Sequence, residues 1–194
     1  MDEYNNYQNG YNQNPPPPRR PKKRMNARWL WIIPVLILAA ILVMDSFYTL
    51  KEDQYAVLTT FGKPTTVSAS GLQPKIPLIQ KVHKVSKSIQ SFPLGYRVGS
   101  NESIEEESLM ITYDYNFVNV DFFIEYKVSD PVKFLYASQQ PVLILKTLAQ
   151  SYIRDTIGLY PVDEIITTGK NTIQAEIKEK LITRLEQEDI GIQL

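Results

Sequence analysis

The side chains able to act as acids, bases or nucleophiles are few in this chain, and their spacing works against each use. His83 is the only histidine, set in Lys81-Val82-His83-Lys84. A catalytic imidazole needs a partner that orients its ring, and no carboxylate stands beside His83 to do so. The segment therefore reads as exposed surface. Ser86 beside Lys87 and Ser88 offers a serine nucleophile with a lysine base on paper. Adjacent side chains of an extended chain point to opposite faces, so Ser86 and Lys87 do not meet. Glu105-Glu106-Glu107 suggests a divalent-cation site, but three consecutive carboxylates diverge and lack the glycine-bearing spacing of a calcium loop. A solvated acidic turn is expected there. Cysteine is absent, which removes thiolate nucleophiles, disulfides and thiolate metal sites, and a single histidine leaves little for zinc. No glycine-rich loop cradles a phosphate. No catalytic, cofactor-binding or metal-binding residue is assigned, and the chain reads as non-enzymatic.

The elements that would have to position any chemistry begin with a membrane anchor. WLWIIPVLILAAILVM, from Trp29 to Met44, carries no charge. Extended to Tyr48, it predicts a helix of about 30 Å, the thickness of a bilayer's hydrocarbon core. Trp29 and Trp31 at one end and Phe47 and Tyr48 at the other suit the two interfaces, where amphipathic rings lie. Asp45 falls in the last turn, within reach of headgroups, and Pro34 lies in the first third, where its missing donor is tolerated. Residues 1–28 hold six basic residues against Asp2 and Glu3, a net of +4, while residues 49–194 hold fifteen basic against eighteen acidic, a net of −3. The basic residues precede the helix, so the N-terminus is expected in the cytoplasm and the bulk of the chain outside. The apolar run exceeds a signal-peptide core, and no small-x-small cleavage pattern follows before Phe47, which favours an anchor over a cleaved leader. With the basic charge localised there, a nucleic-acid surface on the folded part is not expected. The Asn, Gln, Tyr and Gly tract before Pro15–Pro18 cannot offset the entropy of ordering, so residues 1–28 read as a disordered tail, with Pro-Pro-Pro-Pro-Arg-Arg-Pro a stiff leader rather than an adaptor ligand.

Residues 49–194 read as one α+β domain. Tyr55, Val57 and Thr59 share a face of a strand over Gln54–Thr60, which Phe61-Gly62-Lys63-Pro64 is expected to break. Gly71 to Ile79, punctuated by Gly and Pro, is neither regular helix nor central strand. Val82–Val85 and Ser88–Phe92 predict short strands. A long strand is predicted over Phe117–Val128, with Val118, Val120, Phe122, Ile124, Tyr126 and Val128 on one face and Asn119, Asp121, Glu125 and Lys127 on the other. Helices are expected after Pro131, from about Pro141 to Ile157, and from about Gly169 to Glu188. The last carries Ile173, Ile177, Leu181 and Leu185 as its apolar stripe. Strands first and helices later give α+β layering, with an antiparallel-type sheet.

The order of these pieces resembles the SPFH family, also called band 7 or prohibitin-homology, and within it the HflK type of bacteria. The similarity rests on Tyr55 to Lys63 (YAVLTTFGK), on Gly71-Leu72 with Lys75-Ile76-Pro77-Leu78-Ile79, on Asn119-Val120-Asp121-Phe122 to Asp130-Pro131, and on Ile153-Arg154-Asp155 through Val162 to Gly169-Lys170. Ser70 stands where the family commonly has proline. The resemblance also implies a further strand and a long helical region beyond Leu194, so the domain is expected to be truncated at that end. By the same resemblance, the chain is expected to be a non-enzymatic scaffold of the bacterial cytoplasmic membrane that forms large homo- or hetero-oligomers. An HflC-like subunit and the membrane protease FtsH are its implied partners, alongside the lipid bilayer, and no cofactor is implied. Two alternatives stand beside it: a stomatin- or flotillin-like organiser of lipids without a protease, and a membrane-bound hydrolase.

Leu72, Ile76, Leu78 and Ile79 lie in an irregular segment close in sequence to the anchor. They either dip into the outer leaflet or pack beneath the sheet as ordinary core. Leu78→Glu with Ile79→Glu separates the two, because the change blocks folding in the second case and weakens liposome binding in the first.

Overall fold

The apolar run folds as helix α1 (Ala27–Met44), with Pro34 inside it. This computed structural model describes residues 27–100 and 102–194, with side chains from Trp31 onward. The tail expected to be disordered lies, for residues 1–26, outside the described residues, as does the side chain of Trp29. Among the described residues no helix is long and apolar enough to cross a membrane. The helix also ends earlier than expected. The Ser46 hydroxyl donates to the Leu42 carbonyl at 2.7 Å, and the Ser46 amide donates to Val43 at 3.2 Å. These bonds satisfy carbonyls that a helix end leaves open. Phe47 and Tyr48 therefore belong to a strand, not to the helix predicted over 29–48, which is a correction. Aromatic and β-branched residues suit a pleated surface, and here they have a strand to pair with.

The chain divides into two compact units, at Ile41/Leu42. The second unit begins with β1 (Phe47–Leu50), β2 (Gln54–Thr60), β3 (Lys63–Val67), β4 (Gly71–Pro74) and β5 (Gln80–Ser86). β1 and β4 pair antiparallel as a two-stranded sheet, and β3-β2-β5 form an antiparallel sheet of three. The strand over Gln54–Thr60 ends at Phe61-Gly62 as expected, but Lys63-Pro64 then opens a second strand. Pro64 sits opposite Thr59 in β3, an edge strand, where a residue without an amide proton is tolerated.

Next come β6 (Gln90–Leu94), α2 (Glu105–Ser108), β7 (Leu109–Ile111), β8 (Phe117–Asn119) and β9 (Phe122–Val128). The strand expected over Phe117–Val128 is split at Val120-Asp121, where the Val120 amide turns to the Ser108 carbonyl at 3.0 Å. The inward and outward alternation survives the break, with Ile124, Tyr126 and Val128 buried. The remaining elements are α3 (Pro131–Tyr136), α4 (Pro141–Ile157), α5 (Val162–Ile166), α6 (Lys170–Glu188) and β10 (Ile192–Gln193). Asp130 caps α3, accepting from the Val132 and Lys133 amides at 2.9 and 3.2 Å, with Pro131 in the first turn, where its missing donor is harmless. Sheet β10-β9-β6 is antiparallel. The α6 stripe of Ile173, Ile177, Leu181 and Leu185 joins Leu145, Ala149 and Ile153 of α4 in the main core. Gly191 (φ +72°) lies where a Cβ would collide with the Asp130 carbonyl, so the return from α6 into β10 requires glycine. Mixed helix and antiparallel sheet is the architecture expected from the sequence.

Candidate membrane-contact site

The chemistry-bearing residues are all engaged structurally or left apart. His83 is exposed on β5. The Lys87 ammonium donates to the Ser68 carbonyl at 3.2 Å and lies 4.8 Å from the centroid of the Tyr55 ring, while the Ser86 hydroxyl accepts from the Ser88 amide at 3.1 Å. They form no dyad. The acidic run is not a solvated turn but the short helix α2, and Glu107 is tied inward. Its carboxylate pairs with Lys146 at 2.7 Å and accepts from the Gly95 amide at 3.1 Å. Burial pushes the Glu107 carboxyl up, but the Lys146 and Gly95 bonds together outweigh it and hold the group below its ordinary value. Among the described residues no group of three acidic or histidine side chains could hold a metal ion.

A different feature stands out at one end of the β1–β5 region. The β2–β3 hairpin closes through Phe61 and Gly62, with φ of +49° and +86°. A two-residue turn with both residues left-handed follows the twist of its strands, and it normally takes Asn or Gly in its first position. Phe61 instead spends strain to hold a bulky ring in a left-handed conformation, and that ring is 85% exposed. Beside this turn, Thr60 pairs with Gln80 across β2 and β5. The turn leading into β5 holds Leu78 at φ +68°, and Leu78 is 92% exposed. Two large apolar side chains in left-handed conformations thus project from neighbouring turns.

Gln80 builds the second turn. Its side-chain oxygen accepts from the Ile76 amide at 2.8 Å, its amide nitrogen donates to the Thr60 hydroxyl at 3.0 Å, and its backbone amide donates to the Ile76 carbonyl at 3.0 Å. These bonds occupy the Ile76 amide and carbonyl, so at that residue an apolar side chain can leave water without dragging an orphan donor along. Pairing of β1 with β4 sets Phe47 opposite Pro74 and Thr49 opposite Leu72. Just beyond, the Lys75 amide donates to the Ser46 carbonyl at 2.8 Å, and the Lys75 ammonium pairs with Asp45 at 2.7 Å.

Leu72, Ile76 and Ile79 are 65%, 53% and 39% exposed. Ordinary core packing does not account for them. Phe47 is also exposed and Tyr48 half-buried, both in β1. Six of the sequence-predicted interface residues therefore come from one short stretch of fold, whereas Trp31 is exposed on α1, in the other unit. Phe61 was not among the predicted residues. The signal for it was present in the sequence: a large aromatic residue before glycine, in a hairpin position that favours small polar ones.

The model of the SPFH domain / Band 7 family matches residues 48–193. Among curated proteins, Protein HflK of Borreliella burgdorferi is 28% identical over 170 residues, covering 84% of this chain and 55% of that protein. Modulator of FtsH protease HflK of Escherichia coli is 31% identical over 164 residues, 82% of this chain and 36% of that protein. Protein HflK of Haemophilus influenzae is 25% identical over 165 residues, 84% and 38%. The chain thus spans about half or less of the length of these relatives.

Proposed function

The chain belongs to the SPFH domain / Band 7 family, and from that premise we propose that it is a non-enzymatic membrane scaffold of the HflK type, modulating an FtsH-type protease by assembly and steric exclusion. The observation that carries this reading is the match across 82% of the chain to a protein named as a modulator of FtsH protease. An HflC-like subunit completes the assembly, and the scaffold works at the bacterial cytoplasmic membrane, with its N-terminus inside and the SPFH domain outside. Support for the anchor comes from the sequence, in the uncharged run from Trp29 to Met44 and the six basic residues that precede it. Contact with the outer leaflet falls to Leu72, Ile76, Leu78 and Ile79, joined by Phe61. Their exposure, the strained backbone at two of the five and the bonds that Gln80 makes to Ile76 all favour a surface meant to leave water. Repeated lateral association needs exposed surface elsewhere. Ile111 and Phe117, cross-strand partners of β7 and β8 and both exposed, offer one.

Recovery of FtsH with the full chain from gently solubilised membranes tests the reading. Co-purification is the expected result. Absence of FtsH under conditions that retain other subunits turns the assignment toward a stomatin- or flotillin-like lipid organiser. Degradation of a model protein by the purified chain without FtsH, ATP or other proteases overturns the scaffold in favour of a hydrolase.

A further inference from the structure

Charge is distributed along this chain in a way that neither the anchor nor the core requires. Between Asp53 and Glu102 there is no acidic residue, yet Lys63, Lys75, Lys81, Lys84, Lys87 and Arg97 all fall there. Residues 45–87 hold six lysines against Asp45, Glu52 and Asp53, a net of +3, and residues 88–194 hold nine basic against sixteen acidic residues, a net of −7.

Strand direction sharpens that split. β2 runs from Gln54 to Thr60, a span of about 20 Å at ~3.3 Å per residue. Glu52 and Asp53 precede its start, while Lys63 pairs with Thr60 and Lys81 with Thr59 at its other end, where the exposed apolar turns lie. Thr59 and Thr60 face opposite sides of the sheet, and cross-strand partners share a face. Lys63 and Lys81 therefore flank the apolar turns on both sides, and both are exposed. Asp45, the carboxylate near Lys75, is already paired with it, and among the described residues Lys63 and Lys81 have no ion-pair partner.

We propose that Lys63 and Lys81 form a basic rim that binds the headgroups of anionic lipids once Phe61, Ile76, Leu78 and Ile79 enter the bilayer, making contact selective for a negatively charged leaflet. The inference rests on the membrane-contact reading above and adds a lipid class to it. An apolar tip alone would enter neutral and anionic bilayers alike, because burial of hydrocarbon does not depend on headgroup charge. Two cations held at the rim by paired strands lie at headgroup depth when the tip is buried, and long lysine stems let the ammonium groups reach phosphates. The acidic bulk of residues 88–194 is repelled by the same surface, which favours orientations that keep it away.

The absence of cysteine gives a clean probe. Leu78→Cys, labelled with an environment-sensitive fluorophore, is placed in the full chain and reconstituted into phosphatidylcholine vesicles with and without phosphatidylglycerol, with quenchers on the acyl chains. Stronger quenching in anionic vesicles, reversed by high salt, is expected. Lys63→Gln and Lys81→Gln each lower the buried-to-exposed ratio of the label there by about fivefold, with no change in neutral vesicles. Lys127→Gln with Lys178→Gln, exposed on β9 and α6, leaves it unchanged. Equal quenching in both compositions overturns the basic rim and leaves membrane contact standing. No quenching in either overturns membrane contact by this loop, and the rim with it.

Discussion

The β1–β5 region and the region from β6 to β10 differ in how much of their apolar material they bury. From β6 onward, the main core gathers Leu94, Leu145, Ile153, Ile157, Leu181 and their neighbours into one buried cluster. In β1–β5 the buried apolar residues are Leu50, Ala56, Val57 and Val85, while Phe61, Leu72, Ile76 and Leu78 are largely exposed. The later region builds a large buried core and exposes further apolar residues such as Ile111 and Phe117 besides, whereas the first buries few and displays several large ones. The membrane scaffold proposed above would need both, a rigid body and a face that lipid covers.

The contrast breaks most visibly under identical chemistry applied to each region. Leu181→Ala removes a fully buried side chain and is expected to cost about 2–5 kcal/mol. Leu78→Ala, in the exposed turn, is expected to stay within about 0.5 kcal/mol. Denaturant unfolding of the detergent-solubilised chain measures both. Similar losses at the two positions would mean that the displayed loop is part of the core after all.

How far the sequence foretold each region follows from the same contrast. Pro141–Ile157 and the Ile173, Ile177, Leu181, Leu185 stripe were legible because a core-facing helix repeats its burial every turn. The inward face of Phe117–Val128 was legible for the same reason with a period of two, although its break at Val120-Asp121 depends on a bond from Val120 to distant Ser108, which no local pattern records. In β1–β5 the pattern fails. β1 and β4 exist through their pairing with each other, and Lys63-Pro64 reads as a breaker unless β3 is known to be an edge. Leu72, Ile76, Leu78 and Ile79 were identified as apolar and out of place, yet only the fold decides whether they are covered. The acidic run misled for a third reason. Glu107 finds Lys146 from a helix far along the chain.

Gln80→Ala sharpens the display region by itself. It removes the bonds to the Ile76 amide and the Thr60 hydroxyl, each worth about 0.5–1.5 kcal/mol. Hydrogen exchange at the Ile76 amide is expected to accelerate about tenfold, while the midpoint of global unfolding barely moves. Unchanged exchange would show that the loop does not depend on this side chain.

Acid probes the other region more gently. Glu107 has a depressed pKa in the folded state, so its contribution to stability is complete above the unfolded carboxylate value of about 4.3 and is lost as pH falls through the lower folded value. Glu107→Gln lacks that contribution at every pH. The difference in unfolding midpoint between the two proteins is therefore expected to be largest near neutrality and to shrink in acid. A gap that stays constant with pH would assign the loss to packing.

The smallest effect tests whether the regions act as one body. Among the described residues, the side-chain hydrogen bond that joins them is Thr59 to the Tyr136 hydroxyl, at 2.7 Å, and it is exposed, where such a bond contributes about 1 kcal/mol or less. Tyr136→Phe deletes the bond and leaves the ring on α3. If the display region is braced by α3, the substitution leaves main-core amides untouched but speeds hydrogen exchange in β2 by a few-fold, since β2 carries Thr59. Exchange that rises equally in β2 and in α4 would show that opening is cooperative across the whole unit. In that case the stability of the main core also steadies the exposed turns, and the division of labour between the regions lies in their surfaces rather than in their folding.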